Sequence, residues 1–254
     1  MLYSFFRSEL CAAMALCLAV FLPSTACGAE KTRTPTLNIA APCLNSLHIR
    51  AQKGVTQPEP ANGQWPTGLQ LATNSDGSLS LAGQNCQADT NLTLTTPPNM
   101  PLVITSTGRT AIQVDDRKGP VFLQAGSGAV TLGRTAELNV TSDSTGAITI
   151  PVLADSARLR STLSAPFMIG KVQAPALAIY LGGSASFTTQ QGKLEALEIT
   201  SNSTADAVFH GETSVAALHV ENAGNILVDK ATGTLATERD GKGKIVVTST
   251  QGNH

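Results

Sequence analysis

The chain has 254 residues, with 17 basic and 18 acidic side chains and a formal net charge of −1. Charged residues make up only 14% of it, so it has no basic stripe of the kind that tracks nucleic acid. Aromatic residues are 4%, with one Trp, which argues against an aromatic stacking platform for bases or sugars.

Arg7 precedes an unbroken apolar run from Leu10 to Leu22 that stops at Pro23. The run is too short for a membrane span, which needs roughly 20 residues. It has the length of a signal-peptide apolar region, and small residues follow it. Residues 1–29 therefore read as a signal peptide, cut after Ala26 or Ala29. Lipidation of Cys27 is the alternative, because Thr25 and Ala26 suit the positions before a lipid-modified cysteine. No other apolar run is long enough to cross a bilayer.

Cys11 and Cys17 leave with that segment, and cleavage after Ala29 removes Cys27 as well. Cys43 and Cys86 then remain as an even pair. In an oxidising compartment they can form a disulfide closing a loop of about 40 residues, worth roughly 3–4 kcal/mol in the chain-entropy treatment. Two buried free thiols are the other reading. No CxxC motif is present, so zinc and thiol redox chemistry have no support.

Residues 30–100 read as a β opening and capping region. Its candidate strands are Leu37–Ile39, Leu47–Ile49, Leu69–Leu71 and Leu79–Leu81. The loop Val55–Thr67 holds Pro58, Pro60 and Pro66, too many for a helix or a central strand. Asp76-Gly77 predicts a hairpin turn before the fourth strand.

Residues 101–254 carry a repeat of about 18–21 residues, each unit holding two apolar-x-apolar pairs. The first pairs are Leu102/Ile104, Val121/Leu123, Leu138/Val140, Leu177/Ile179, Leu197/Ile199 and Leu218/Val220, with one unit keeping only Leu159. The second pairs are Ile112/Val114, Val130/Leu132, Ile148/Ile150, Phe167/Ile169, Ala185/Phe187, Ala207/Phe209, Ile226/Val228 and Ile245/Val247. In a strand, residues i and i+2 share a face, so stacked pairs build apolar ladders. The prediction is an all-β, single-domain parallel β-helix, with an antiparallel β-sandwich as the alternative.

The chemistry-bearing residues are few. Asp115-Asp116 is the one acidic doublet after the signal, and neighbours in a strand point to opposite faces. With Arg117, Lys118 and Gly119 it reads as a charged turn rather than a glycan-cleaving pair. His48, His210 and His219 should all face solvent, His254 is the last residue, and no two are spaced as a metal pair. Gly126-Ser127-Gly128, Gly182-Gly183 and Gly241-Lys242-Gly243 read as tight turns using positive φ, not as phosphate loops. No Gly-x-Ser-x-Gly motif occurs. No catalytic, cofactor or metal residues are assigned.

The pattern of Leu138-Asn139-Val140 leading to Ile148-Thr149-Ile150, repeated in Leu218-His219-Val220 leading to Ile226-Leu227-Val228, resembles the bacterial adhesin-type families of exported β-solenoids with a head GIN domain. Gly126-Ser127-Gly128-Ala129-Val130 resembles their Gly-Ser-Gly turn, and the stretch from Gly77 through Pro97-Pro98 resembles the way such domains begin. The resemblance covers roughly residues 37–247. It implies an exported, non-enzymatic protein of the envelope or surface, and it supplies no ligand or functional residue.

The expected role is binding or structural: a polar strand surface presented to a polysaccharide or an envelope protein. Thr131, Thr149, Thr188, Glu198 and His219 represent that surface. A periplasmic accessory protein of a larger assembly and a polysaccharide lyase or hydrolase are the alternatives. Open β-helix ends also allow end-to-end self-association. The expected location is periplasmic, secreted or at the cell surface, with a lipid anchor if Cys27 is modified.

Overall fold

A computed structural model describes residues 34–83, 86–87, 89–105 and 108–250. The segment read as a signal peptide, Cys27 and His254 lie outside them. The described residues contain strands and turns and no helix. In chain order the strands are β1 (Leu37–Ala40), β2 (Ser46–Ala51), β3 (Glu59–Pro60), β4 (Leu69–Thr73), β5 (Leu79–Gly83), β6 (Asn91–Thr96), β7 (Leu102–Thr105), β8 (Ala111–Val114), β9 (Val121–Ala125), β10 (Val130–Leu132), β11 (Leu138–Ser142), β12 (Ile148–Leu153), β13 (Ala157–Ser161), β14 (Phe167–Gly183), β15 (Phe187–Ser203), β16 (Ala207–Val220), β17 (Ile226–Ala231), β18 (Leu235–Arg239) and β19 (Ile245–Thr250).

These strands stack into two parallel columns, so the fold is a β-solenoid and not a sandwich. The first column runs β5, β1, β7, β9, β11, β13, the C-terminal parts of β14, β15 and β16, then β18. The second runs β6, β2, β8, β10, β12, the N-terminal parts of β14, β15 and β16, then β17 and β19. From β7 onward the chain makes about eight turns. Alternation along each strand sends one row inward on every rung. Leu102, Val121, Leu138, Leu177 and Leu197 thus stack in the first column and Ile112, Val130, Ile148, Phe167 and Phe187 in the second, all buried. Each such side chain contributes about 1.5–3 kcal/mol of burial, which is why the period is kept through the stack.

Two registers differ from the expected pairs. Phe167 faces Phe187, and Phe187 faces Ala207, so the inward pair of that rung is Phe187/Thr189 and Ala185 belongs to the preceding turn. In the next rungs of the first column the aligned pair is Ala216/Leu218, with Val220 one step further in line with Ser201. The causes differ. At Thr189 a fully buried polar residue stands where an apolar one would mark the register. At Ala216 the inward residue is small, and the apolar Val220 stands in line with the buried Ser201. The unit that kept only Leu159 is completed by Ala157, buried opposite Leu138 and Leu177.

Stacking order departs from chain order at the start. β1 lies between β5 and β7, and β2 between β6 and β8. The chain therefore climbs two rungs, about 9–10 Å, between β6 and β7. Residues 97–101 make that climb, with Met100 fully buried. Arg117 clamps it. Its Nη1 donates to Thr96 Oγ1 at 3.3 Å, and its Nη2 donates to the carbonyls of Pro97 (3.4 Å) and Met100. The backbone N–H groups of Lys118 and Gly119 both donate to Pro98 O at 2.9 Å.

The sulfurs of Cys43 and Cys86 are 1.99 Å apart, at disulfide distance, joining the β1–β2 turn to the β5–β6 turn on the adjacent rung. Antiparallel β4 covers the outer edge of β5, and β3 that of β6. The hairpin turn between β4 and β5 is closed by Asn74 N–H to Ser78 O, with Gly77 at φ +80°. Residues 171–174 and 191–194 form a third short ladder where β14 and β15 continue around the corner.

Candidate functional site

Outward side chains of the first column stack in register through Val103, Phe122, Asn139, Arg158, Ala178 and Glu198, and on to Ala217. Two hollows lie along this row. One of about 380 Å³ is lined by Glu137, Asn139, Arg158, Ala178, Glu198 and Ala217 among others. The second, about 350 Å³, is lined by Val103, Phe122, Gln124, Asn139 and Thr141 among others. They adjoin at Asn139, one lying on the Glu137 and Ala176 side of the row and the other on the Gln124 and Thr141 side, and together they mark a shallow trough on this face. Its floor is low because Ala176, Ala178, Ala196 and Ala217 end at Cβ, while Arg158 and Glu198 stand above them. From Val103 to Ala217 the row takes six ladder steps, about 29 Å.

Beside the trough runs the row two residues on. Arg160 lies over the Tyr180 ring, 4.0 Å from its centroid. That contact holds a planar cation and a half-buried aromatic ring side by side on neighbouring rungs. Thr131, Thr149 and Thr188 lie elsewhere, on the outer face of the second column, whereas Glu198 and His219 belong to the first. The five residues chosen to represent one polar surface therefore divide between two.

The three described histidines face solvent in part, and each meets an aspartate of the next rung. His48 Nε2 is 2.8 Å from Asp115 Oδ1, His210 Nδ1 is 3.2 Å from Asp229 Oδ1, and His219 Nε2 is 3.0 Å from Asp240 Oδ2. His219 Nδ1 also lies 3.6 Å from Glu221 Oε1. The hydrogen bond to Asp240 holds the His219 imidazole above its ordinary pKa, and the charges of Glu238, Glu221 and Asp240 act the same way. His219, Glu238 and Asp240 bring ligand-capable atoms within 4.8 Å of one another, so they are the described residues that could hold a cation. Their present arrangement is an ion-paired clasp between β16 and the β18 rung. Sequence reasoning missed these pairs, yet two were within reach: His210 to Asp229 and His219 to Asp240 are separated by 19 and 21 residues, one repeat. His48 to Asp115 spans 67 residues because the climb intervenes.

Asp115 and Asp116 do not converge. Asp115 is taken by His48, and Asp116 Oδ1 accepts from the N–H of Arg134 at 2.8 Å. The segment is a structural turn, with Arg117 turned into the interior. The glycine turns have the expected cause at Gly183 and a different one elsewhere. Among the three runs only Gly183 has a positive φ, +59°. At Gly128 a Cβ would sit 2.0 Å from Thr110 O on the preceding rung, so glycine is required there by close stacking of turns.

No family model, curated protein sequence or solved structure matches the chain.

Proposed function

We propose that this protein is an exported, non-catalytic binding module of the bacterial envelope or surface, of the adhesin type. It holds one extended polysaccharide chain along the trough of its first column. The observation that carries this reading is a pair of open hollows that adjoin at Asn139 and follow the outward row of the first column, in place of one enclosed pocket. The rung spacing of about 4.8 Å is close to the advance of one sugar in an extended chain, so successive rungs meet successive units. Arg158, Glu198 and Asn139 offer hydrogen bonds, and Tyr180 with Arg160 offers a flat edge beside them. The Cys43–Cys86 pair supports export, because disulfides persist in oxidising compartments. Among the described residues no helix is long and apolar enough to cross a membrane.

The test is retention on a panel of immobilised neutral and acidic polysaccharides, scored for chain cleavage at the same time. Retention without cleavage, weakened at least about tenfold by Arg158→Ala and by Tyr180→Ala, is the expected result. Cleavage would replace the binding module with a lyase or hydrolase. Retention indifferent to both substitutions would move the site off this face.

A further inference from the structure

The two ends of the solenoid are finished differently. At the N-terminal end β3 and β4 lie antiparallel on the outer edges of β6 and β5, with Pro60 in β3. At the C-terminal end no described strand pairs with the outer edge of β18 or β19. The β18 side of that rung is guarded. Thr237 and Arg239 take the inward positions that Leu218 and Val220 hold one rung earlier, and Glu238 faces outward. Inward polar groups and edge charges discourage strand addition. β19 has no such guard. Ile245–Thr250 contains no charge and no proline, and its register with β17 is unbroken. Ile245 and Val247 are half-buried where their neighbours Ile226 and Val228 are fully buried. Val246 is 44% exposed and continues an outward apolar row from Val208 and Leu227.

Backbone direction completes the edge. Ile226 N–H donates to Lys244 O at 2.8 Å, so Lys244 and Val246 turn their backbone groups toward β17. By the alternation of a parallel ladder, the N–H and C=O groups of Ile245, Val247 and Ser249 point to the open side.

We propose that the protein self-associates tail to tail, the occupant of the β19 edge being β19 of a second copy. Head-to-tail continuation is obstructed, because at the other end β4 pairs along the whole of β5 and β3 occupies the Leu94–Thr95 part of β6. A two-fold axis perpendicular to the solenoid axis makes the facing strands antiparallel and the contact self-complementary, which gives a closed dimer rather than a filament. Electrostatics suit this occupant: the uncharged β19 laid against itself opposes no like charges, which directly facing strands penalise. Pairing also draws Ile245, Val247 and Val246 out of water.

The experiment is light scattering with sedimentation equilibrium over a wide concentration range, on the protein as recovered from its producing cells. A monomer–dimer equilibrium with no larger species is expected. Val246→Lys places like charges across the two-fold, and Ser249→Pro removes an N–H from the open edge without touching the ladder to β17. Each should weaken dimerisation at least about tenfold with unchanged circular dichroism. Thr131→Lys, on the same column but far from the end, should leave it as in the parent. A monomer at every concentration, a dimer indifferent to both β19 variants, or an open-ended series of larger species would each overturn the proposal. So would a monomer that captures an unrelated extended peptide on β19.

Discussion

Arg117 follows two aspartates, yet neither is its partner. Its guanidinium is buried against Thr96, Pro97 and Met100, and burial pulls its pKa down to about 10. It remains charged at neutral pH, held by carbonyl and hydroxyl acceptors of the two-rung climb. Arg117→Met keeps much of the volume and strips those acceptors of their donor. An unpaired buried acceptor costs about 1–3 kcal/mol, so urea unfolding should show a loss of about 2–4 kcal/mol. A loss below about 0.5 kcal/mol would mean that the backbone bonds to Pro98 alone hold the climb. His219 makes a second prediction, of a different kind. Its folded-state pKa is raised, first by the hydrogen bond to Asp240, so the folded state binds the proton more tightly than the unfolded chain does. The stabilisation is full below the unfolded value of about 6.5 and is lost as pH rises through the higher folded value. A titration of the His219 ring by NMR should give a midpoint above that of a free histidine, and Asp240→Asn should lower it. An unshifted midpoint in the parent protein would show that the clasp is open in solution.

Along β15, the polar interior residue Thr189 sets both the shape and the register. Its Oγ1 donates to His210 O at 3.2 Å and accepts from His210 N–H at 2.8 Å, at the irregularity between β15 and β16. Three residues on, Gly192 leaves room for Phe209, whose ring would lie 2.7 Å from an added Cβ. Thr189→Val should cost about 1–3 kcal/mol and speed hydrogen exchange at the His210 amide selectively. Uniform exchange across β15 and β16 would contradict a local staple. This strand also shows where legibility ended. The parallel columns were readable because Leu, Ile and Val recur at i and i+2 on nearly every rung, and the period alone then places the strands. At Thr189 the interior row is polar and at Ala216 it is small, so the apolar pattern slid to Ala185/Phe187 and to Leu218/Val220. The trough was not readable in the same way. Arg158, Ala178 and Glu198 share no pattern in the chain, and only a register exact to one residue brings them into line.

For the molecule as a whole, the stack resists fraying unequally at its two ends, because a solenoid is held mainly by contacts between neighbouring rungs. The β5/β6 rung is first in space but is reached only after β1 and β2, so no further rung lies beyond its outer edges. Three devices fasten it: the antiparallel covers β3 and β4, the Arg117 clamp behind it, and the Cys43–Cys86 link to the β1/β2 rung. The link closes 43 residues, which corresponds to about 3–4 kcal/mol in the chain-entropy treatment. Replacing both cysteines by serine should therefore release this rung before the rest. The expected signature is faster proteolysis within the loop of residues 55–67, which lies between β2 and β4, with amide protection of β9 to β16 retained. If cleavage of that loop and global unfolding accelerate together, the stack melts as a single unit and the link stabilises all of it. If neither changes, β3, β4 and Arg117 are sufficient, and the cysteine pair is redundant to the cap. The first outcome alone matches a solenoid whose N-terminal end is separately fastened while its C-terminal edge is left able to pair.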